Sequence, residues 1–324
     1  MEKRDWPKVA VVGAGAVGSF FGGMLARAGI AVTLIGRAPH VEAINRCGLF
    51  VDSIHFQETI SIAASTSLAV LHDAAVVLIC VKSGDTEDVA REIVDCLAPG
   101  AIVLSLQNGV NNVERIRAAS GIEALAAAVY VAVEVAAPGR IRHTGAGHLS
   151  IGDFWKRSHV DTRWRQALEE VAALFAGAGV PCRVSEDIHV DLWTKLAMNC
   201  AYNALSAVCQ AKYGRLSENK WTQEIMKQII IETVAVARAS AVGIASAESL
   251  MESALELGKT MAHALSSTAQ DLQRGKPTEI DSLNGYVVRR GRELGISAPA
   301  NQTLHGLVMW LAEHRESQRL DTHS

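Results

Sequence analysis

Between Ile188 and Cys209 the chain is mostly apolar, but it carries Asp191, Lys195, Asn199 and Asn203 at strict four-residue spacing. On a helix that spacing advances about 40° past a full turn, so Lys195 and the two asparagines fall on one polar stripe. An ammonium there can stabilise negative charge developing on a carbonyl oxygen and then deliver a proton. The amides offer donors and acceptors for carboxylate and hydroxyl groups. Burying such groups without partners is costly, so the stripe either lines a wet cleft, the reading we favour, or makes internal hydrogen bonds.

A second chemical pattern opens the chain. Lys8 to Val12 is a short β-branched run, followed by Gly13, Gly15 and Gly18 in a G-x-G-x-x-G turn and by an apolar run through Val17, Phe20, Phe21, Met24 and Leu25 to Gly29. Strand, glycine turn and helix in that order let a pyrophosphate approach the amides that open the helix. The cofactor-binding candidates are therefore Gly13, Ala14, Gly15, Ala16, Val17 and Gly18; a plain glycine-rich turn is the alternative. Ala31 to Ile35 reads as a second strand, completing a βαβ unit. No acidic residue occurs between Gly13 and Val41 to bond a ribose 2′-hydroxyl, and Arg37 stands after the strand instead. A guanidinium holds a 2′-phosphate through paired, charge-assisted hydrogen bonds where a carboxylate would repel it, which favours NADPH over NADH or FAD. Arg37 as a solvated loop charge is the simpler alternative.

Positioning these residues takes two kinds of architecture. A β-rich stretch follows around Gly48 to Ile62, and Ala75 to Val81 reads as a buried strand ending at Lys82. Asp85-Thr86 opens a helix to Leu97, closed by Pro99-Gly100, and Ile102 to Leu106 is a strand ending at Gln107-Asn108-Gly109. In a doubly wound sheet, ligands bind beyond the carboxyl ends of the strands, so Gly13, Arg37, Lys82 and Asn108 should converge on one crevice. A solvated charge for Lys82 and an ordinary Asn-Gly turn for Asn108 stay open. Ala124 to Val135 is a further strand, short β pieces continue to Gly152, Thr162 to Ala178 is an amphipathic helix, and Val180 to Val184 is an edge strand carrying Pro181.

From Ile188 onward the periodicity is helical. The expected fold class is α/β, with an N-terminal Rossmann-like doubly wound sheet (residues 1–185) followed by an all-helical C-terminal domain (residues 186–324). Ile188 to Cys209, Ser217 to Val242, Ser246 to Leu265 and Asn301 to Ala312 read as helices, and Ser266 to Pro277 as a polar, breaker-rich connection. Thr278 resembles an N-cap with Asp281 three residues on, a capping box that puts Glu279 at a positive helix end; that alone would explain an acid there.

Apolar residues make up 49% of the 324, charged residues 20%, and the formal net charge is −3. That composition excludes a broad electrostatic footprint for nucleic acid or an anionic membrane, so any anion site must be local. The apolar stretch Ala124 to Val133 is far short of the roughly 20 residues of a membrane helix. The six cysteines are scattered, which suits small buried thiols in a reducing compartment better than disulfides or metal ligands. The eleven histidines show no H-E-x-x-H pattern, and no metal is expected. Met1 to Pro7 runs into the first strand without an apolar leader, and Glu313 to Ser324 reads as a frayed polar tail. A cytoplasmic enzyme with a small-molecule substrate, and neither a nucleic-acid nor a membrane partner, is the expectation; a homodimer is compatible with it.

Taken together, Gly13 to Gly18, Arg37, Val81-Lys82, Gln107-Asn108-Gly109, Trp193 to Asn199 with Asn203, Ser266-Ser267 with Gln270-Asp271, and Gly275 to Asp281 resemble the ketopantoate reductases (2-dehydropantoate 2-reductases) over nearly the whole chain. The resemblance implies an NADP-dependent oxidoreductase that reduces 2-dehydropantoate to pantoate, a step of pantothenate and coenzyme A biosynthesis. Its nicotinamide would lie in the cleft between the two domains. By matching positions, Lys195 is the proton donor, Asn199, Asn203 and Ser267 hold substrate, and Glu279 is a catalytic residue near nicotinamide and substrate. Lys82 and Asn108 would border the cofactor and the reacting carbonyl. Departures fall in the substrate half: Tyr213 stands where some members carry Asn, Thr268 replaces a common Met, and Ser83-Gly84-Asp85 differs after the lysine. A different branched 2-oxo acid therefore stays open, as does a non-catalytic NADPH-sensing protein, although a sensor has no need of Lys195 and two amides on one face.

Overall fold

The computed structural model describes residues 6–156 and 162–321. The first five residues, expected to run into the first strand, and the last three of the polar tail lie outside them. The chain divides into two compact units, Met1–Ile188 and His189–Ser324.

The first unit is built on β1 (Val9–Val12), whose four residues are all buried, as its unbroken apolar run requires. β1 lies parallel between β2 (Val32–Ile35) and β6 (Val76–Ile79), and β7 (Ile102–Ser105) extends the parallel set beyond β6. β3 (Leu49–Ser53), β4 (Gln57–Ile60), β5 (Ala63–Ser65), β8 (Leu125–Ala137), β9 (Arg140–Gly152) and β10 (Cys182–Val184) complete one sheet, in the order β4-β3-β9-β8-β7-β6-β1-β2-β5 with β10 beside β9. The chain runs outward from β1 to β2 and β5 on one side, and from β6 to β7 and β8 on the other. The strand order thus reverses between β1 and β6, and that switch point is where such sheets open a ligand crevice.

α1 (Ala16–Arg27) touches β1, β2, β3, β8 and β9, so the sheet curls around it. Phe21 and Leu25 on this helix are fully buried, and Phe21 meets Phe175 of α5 (Thr162–Gly177) edge-on at 5.9 Å. Each such side chain contributes about 1.5–3 kcal/mol of burial. α2 (Ala38–Cys47) and α4 (Asn112–Ser120) are short helices without a strong sequence signal. α3 (Thr86–Ile93) forms where expected and passes into a 3-10 turn, Val94–Cys96. The short β pieces expected before Gly152 are one continuous strand, β9, paired antiparallel with β8. Register shifts near Ala146 and Gly147 absorb the glycines that read as breaks.

The second unit is helical throughout its described residues. α6 spans Ile188–Cys209, the bounds its pattern predicts. The single helix expected from Ser217 is two: α7 (Tyr213–Glu218) and α8 (Lys220–Ala239), separated by Asn219, whose side chain accepts from the Trp221 and Thr222 amides. α9 covers Ala247–Thr260. The polar connection after it contains a true helix, α10 (Ser267–Arg274), which Ser266 caps by accepting from the Ala269 amide and Gly275 ends in the left-handed conformation. The capping box does not form. Glu279 precedes a 3-10 turn, Ile280–Ser282, and the Asp281 carboxylate pairs with Arg289 at 2.6 Å instead of capping backbone. α11 (Asn284–Glu293) and α12 (Pro299–Asp321) follow; α12 carries the polar tail as helix well past Ala312.

All six cysteines are free thiols, but only Cys200 is buried, while Cys47 and Cys209 are exposed. Among the described residues, no helix is long and apolar enough to cross a membrane, and no cluster of His, Cys, Asp and Glu could hold a metal.

Candidate active site

The carboxyl ends of β2, β1, β6 and β7 lie side by side in register, which brings the segments carrying Arg37, Gly13, Lys82 and Asn108 to one edge of the sheet. The three glycines at that edge do different work. Gly13 has φ +102°, and a Cβ there would lie 2.7 Å from Val81 N across the switch point. At Gly18 a Cβ would lie 2.2 Å from the Gly13 carbonyl oxygen, so this glycine lets α1 pack onto the turn. Gly15 is exposed, with nothing within 4 Å of where its Cβ would be. No neighbouring atom requires a glycine at Gly15, and the open space beside it would admit close approach of a phosphate to the backbone.

Gly15 is also the N-cap of α1, with no side-chain cap and no acidic residue in the first turn. The first-turn amides at Ala16, Val17 and Gly18 have no acceptor within the helix and carry its positive end. The Gly13 and Ala14 amides are already used, both donating to Ile35 O at 3.0 and 2.8 Å, which ties the turn to the end of β2. Arg37 follows that end as an exposed N-cap residue of α2. A glycine cradle, free helix polarity and a guanidinium beyond β2 fit a dinucleotide phosphate chain.

A buried network fixes the Lys82 and Asn108 loops. Ser83 Oγ donates to Asn108 O at 2.8 Å, and Asn112 Nδ2 donates to the same carbonyl at 2.6 Å. Gln107 Nε2 donates to Thr86 Oγ1 at 2.8 Å and reaches Val81 O at 3.2 Å. Ser83, Thr86, Gln107 and Asn112 are all buried and cross-link loops about 25 residues apart, an arrangement no short-range sequence signal announces. Arg115 adds a two-point ion pair to Glu87 (2.6 and 2.5 Å) between α3 and α4, and this guanidinium holds the Glu87 carboxyl below its usual range. A cavity of about 440 Å³ lies at the opposite, amino-terminal ends of β1 and β2; its Lys8 already pairs with Asp73 at 3.6 Å.

In the second unit, α6 holds Lys195, Asn199 and Asn203 on one face, flanked by the buried Trp193, which packs against Tyr286 at 5.8 Å. Burial lowers the Lys195 ammonium to about 8, and the Glu279 carboxylate acts in the opposite sense. Glu279 is therefore electrostatically coupled to Lys195, although it is not the helix-capping acid that its sequence position suggests.

Asn203 is buried, and its Oδ1 accepts from Tyr213 Oη at 3.2 Å. Its carbonyl accepts from Ser266 Oγ at 3.2 Å, and the Ser266 amide donates to Ser206 Oγ at 3.2 Å. Ser267 is exposed as the first residue of α10, while its neighbour Ser266 performs the capping. Behind the stripe, Asn284 Nδ2 donates to Cys200 O (3.2 Å) and Asn301 Oδ1 (3.0 Å). The buried Glu232 carboxylate accepts from the Ala300 and Asn301 amides, both at 3.0 Å, capping α12 from α8. These supports come from helices far apart in sequence.

Residues 9–156 match the family described as "Ketopantoate reductase PanE/ApbA", and residues 187–312 match "Ketopantoate reductase PanE/ApbA C terminal". The chain belongs to the ketopantoate reductase family. It is 34% identical to a 2-dehydropantoate 2-reductase of Halobacterium salinarum, over 93% of this chain and 97% of the relative. A 2-dehydropantoate 2-reductase of Pyrococcus horikoshii is 33% identical over 93% and 96%. The crystal structure of a PanE/ApbA family ketopantoate reductase from Ralstonia eutropha superposes with a TM-score of 0.86 at 45% identity, covering 95% of this chain and 99% of that one. The chain is thus of an oxidoreductase family whose ketopantoate reductase fold has a dinucleotide-binding sheet followed by a helical domain.

Proposed function

We propose that this chain reduces 2-dehydropantoate to pantoate with NADPH, using Lys195 as proton donor and residues 1–185 and 186–324 as cofactor and substrate domains. The observation that carries the reading is the Lys195, Asn199, Asn203 face of α6, with the ammonium coupled to Glu279. NADPH, when bound, supplies the hydride that reduces the substrate's carbonyl carbon. Gly13, Ala14, Gly15, Ala16, Val17 and Gly18 accommodate its phosphates, Arg37 takes the 2′-phosphate, and Lys82 and Asn108 border the reacting end. The Lys195 ammonium stabilises the negative charge arising on the carbonyl oxygen and passes its proton to that oxygen, becoming a neutral amine that solvent reprotonates. A lysine held near 8 is charged at neutral pH yet gives up its proton more readily than an unperturbed one. Asn199, Asn203 and Ser267 hold substrate, and Glu279 keeps Lys195 protonated between turnovers.

The test is Lys195→Ala. NADPH-dependent reduction should fall by at least a hundredfold while NADPH affinity, read by fluorescence titration, stays within about twofold. Turnover at the wild-type rate would overturn the proton-donor role.

A further inference from the structure

The oxygen of the Asn203 amide, on the proposed substrate-holding face of α6, already has a partner from inside the protein. Tyr213 Oη donates to Asn203 Oδ1 at 3.2 Å. The Tyr213 ring is fixed: it stacks on Tyr202 with centroids 4.2 Å apart and planes 23° apart, and Tyr202 is fully buried with its hydroxyl on Ala254 O at 2.6 Å. Its backbone is fixed too, because Tyr213 N donates to Ala264 O at 3.0 Å and Gly214 N donates to Ala262 O at 3.1 Å. A Cβ on Gly214 would lie 3.0 Å from the Ala262 Cβ, so the segment has little room to shift. Burial and the neighbouring Tyr202 push the Tyr213 phenol up, so it stays a donor at any working pH.

An active site built to hydrogen-bond a substrate hydroxyl rejects the analogue lacking it by about 10⁴–10⁵, because the site's buried polar groups are then left unpaired. That penalty needs an acceptor that only the substrate satisfies. Here Asn203 Oδ1 keeps its partner whether or not the substrate brings a hydroxyl. We infer that Tyr213 relaxes specificity at this position, so that the chain also reduces branched 2-oxo acids without a hydroxyl, reading the carboxylate, the ketone and the apolar branch. The inference rests on the proposed role of Asn203 in holding substrate.

The experiment compares kcat/KM for 2-dehydropantoate and for 3,3-dimethyl-2-oxobutanoate, its counterpart without the hydroxyl, in wild type, Tyr213→Phe and Tyr202→Phe. The wild-type ratio should lie within about tenfold of one. Tyr213→Phe leaves Asn203 Oδ1 for the substrate's hydroxyl to satisfy and should raise the ratio at least tenfold, the effect of one buried unpaired acceptor. Tyr202→Phe removes a hydroxyl that does not touch Asn203 and should leave the ratio within twofold. A wild-type ratio near 10⁴, or a ratio unmoved by Tyr213→Phe in a variant whose thermal unfolding matches wild type, would overturn the inference while leaving the reductase reading intact. Absence of turnover with both acids would instead remove the reading on which it rests.

Discussion

Two glycines of the same motif should respond in opposite ways to one added methyl group. Gly15 has φ −80° and ψ −162°, a conformation alanine adopts freely, and its Cβ would meet nothing within 4 Å. Gly15→Ala loses some N-cap preference and gains from a less flexible unfolded chain; each effect is below about 1 kcal/mol and they oppose each other. The melting temperature should therefore move by less than about 4 °C. On the proposed cofactor reading the methyl group projects into the pyrophosphate's path, and NADPH affinity should fall at least tenfold, about 1.4 kcal/mol. Gly18→Ala instead places a Cβ 2.2 Å from the Gly13 carbonyl oxygen and 2.9 Å from Val11 Cγ1. Backbone must shift, at a cost of about 1–3 kcal/mol or more, and the melting temperature should drop by about 2–4 °C for each kcal/mol. Differential scanning calorimetry with NADPH titration separates the two. If Gly15→Ala bound NADPH as tightly as wild type, the assignment of this turn to the cofactor would be wrong.

For the Lys195 acid, kcat/KM for reduction should be level below pH 8 and fall tenfold per unit above it, because the reactive form is the ammonium. Glu279→Gln removes the carboxylate that favours that ammonium, so the falling limb should move to lower pH; an unmoved limb would uncouple the pair. Arg37→Asp should weaken NADPH at least tenfold more than NADH, and equal losses would count against a 2′-phosphate contact. Glu232→Ala leaves two backbone amides at the start of α12 without acceptors and should lower stability by about 2–5 kcal/mol in denaturant unfolding, whereas a change below about 1 kcal/mol would show that the cap is dispensable.

The parallel core of the first unit was legible because β1 and β6 are unbroken apolar runs and β2 and β7 carry only one polar residue each, Thr33 and Ser105, and α6 because its polar residues recur every fourth position in an apolar background. Other features were hidden for identifiable reasons. α10 has only eight residues, six of them polar, and its cap, Ser266, sits in a stretch whose composition resembles a loop. Gly145 and Gly147 look like breaks but sit in β9, where bulges absorb them. The capping-box pattern at Thr278 failed because Asp281 finds a stronger partner in Arg289. At the site, residue types were readable but their supports were not. Thr86 with Gln107, Asn284 with Cys200 O, and Tyr213 with Asn203 are contacts of tertiary structure between residues that no local pattern links.

NADPH-dependent reduction of a branched 2-oxo acid is tested most directly by steady-state oxidation of NADPH and of NADH by the full chain with 2-dehydropantoate, followed by nicotinamide absorbance with pantoate identified as product. Pantoate should form stoichiometrically, with a kcat/KM at least tenfold higher with NADPH than with NADH. Tight NADPH binding with no oxidation, by 2-dehydropantoate or by any branched 2-oxo acid, would contradict it.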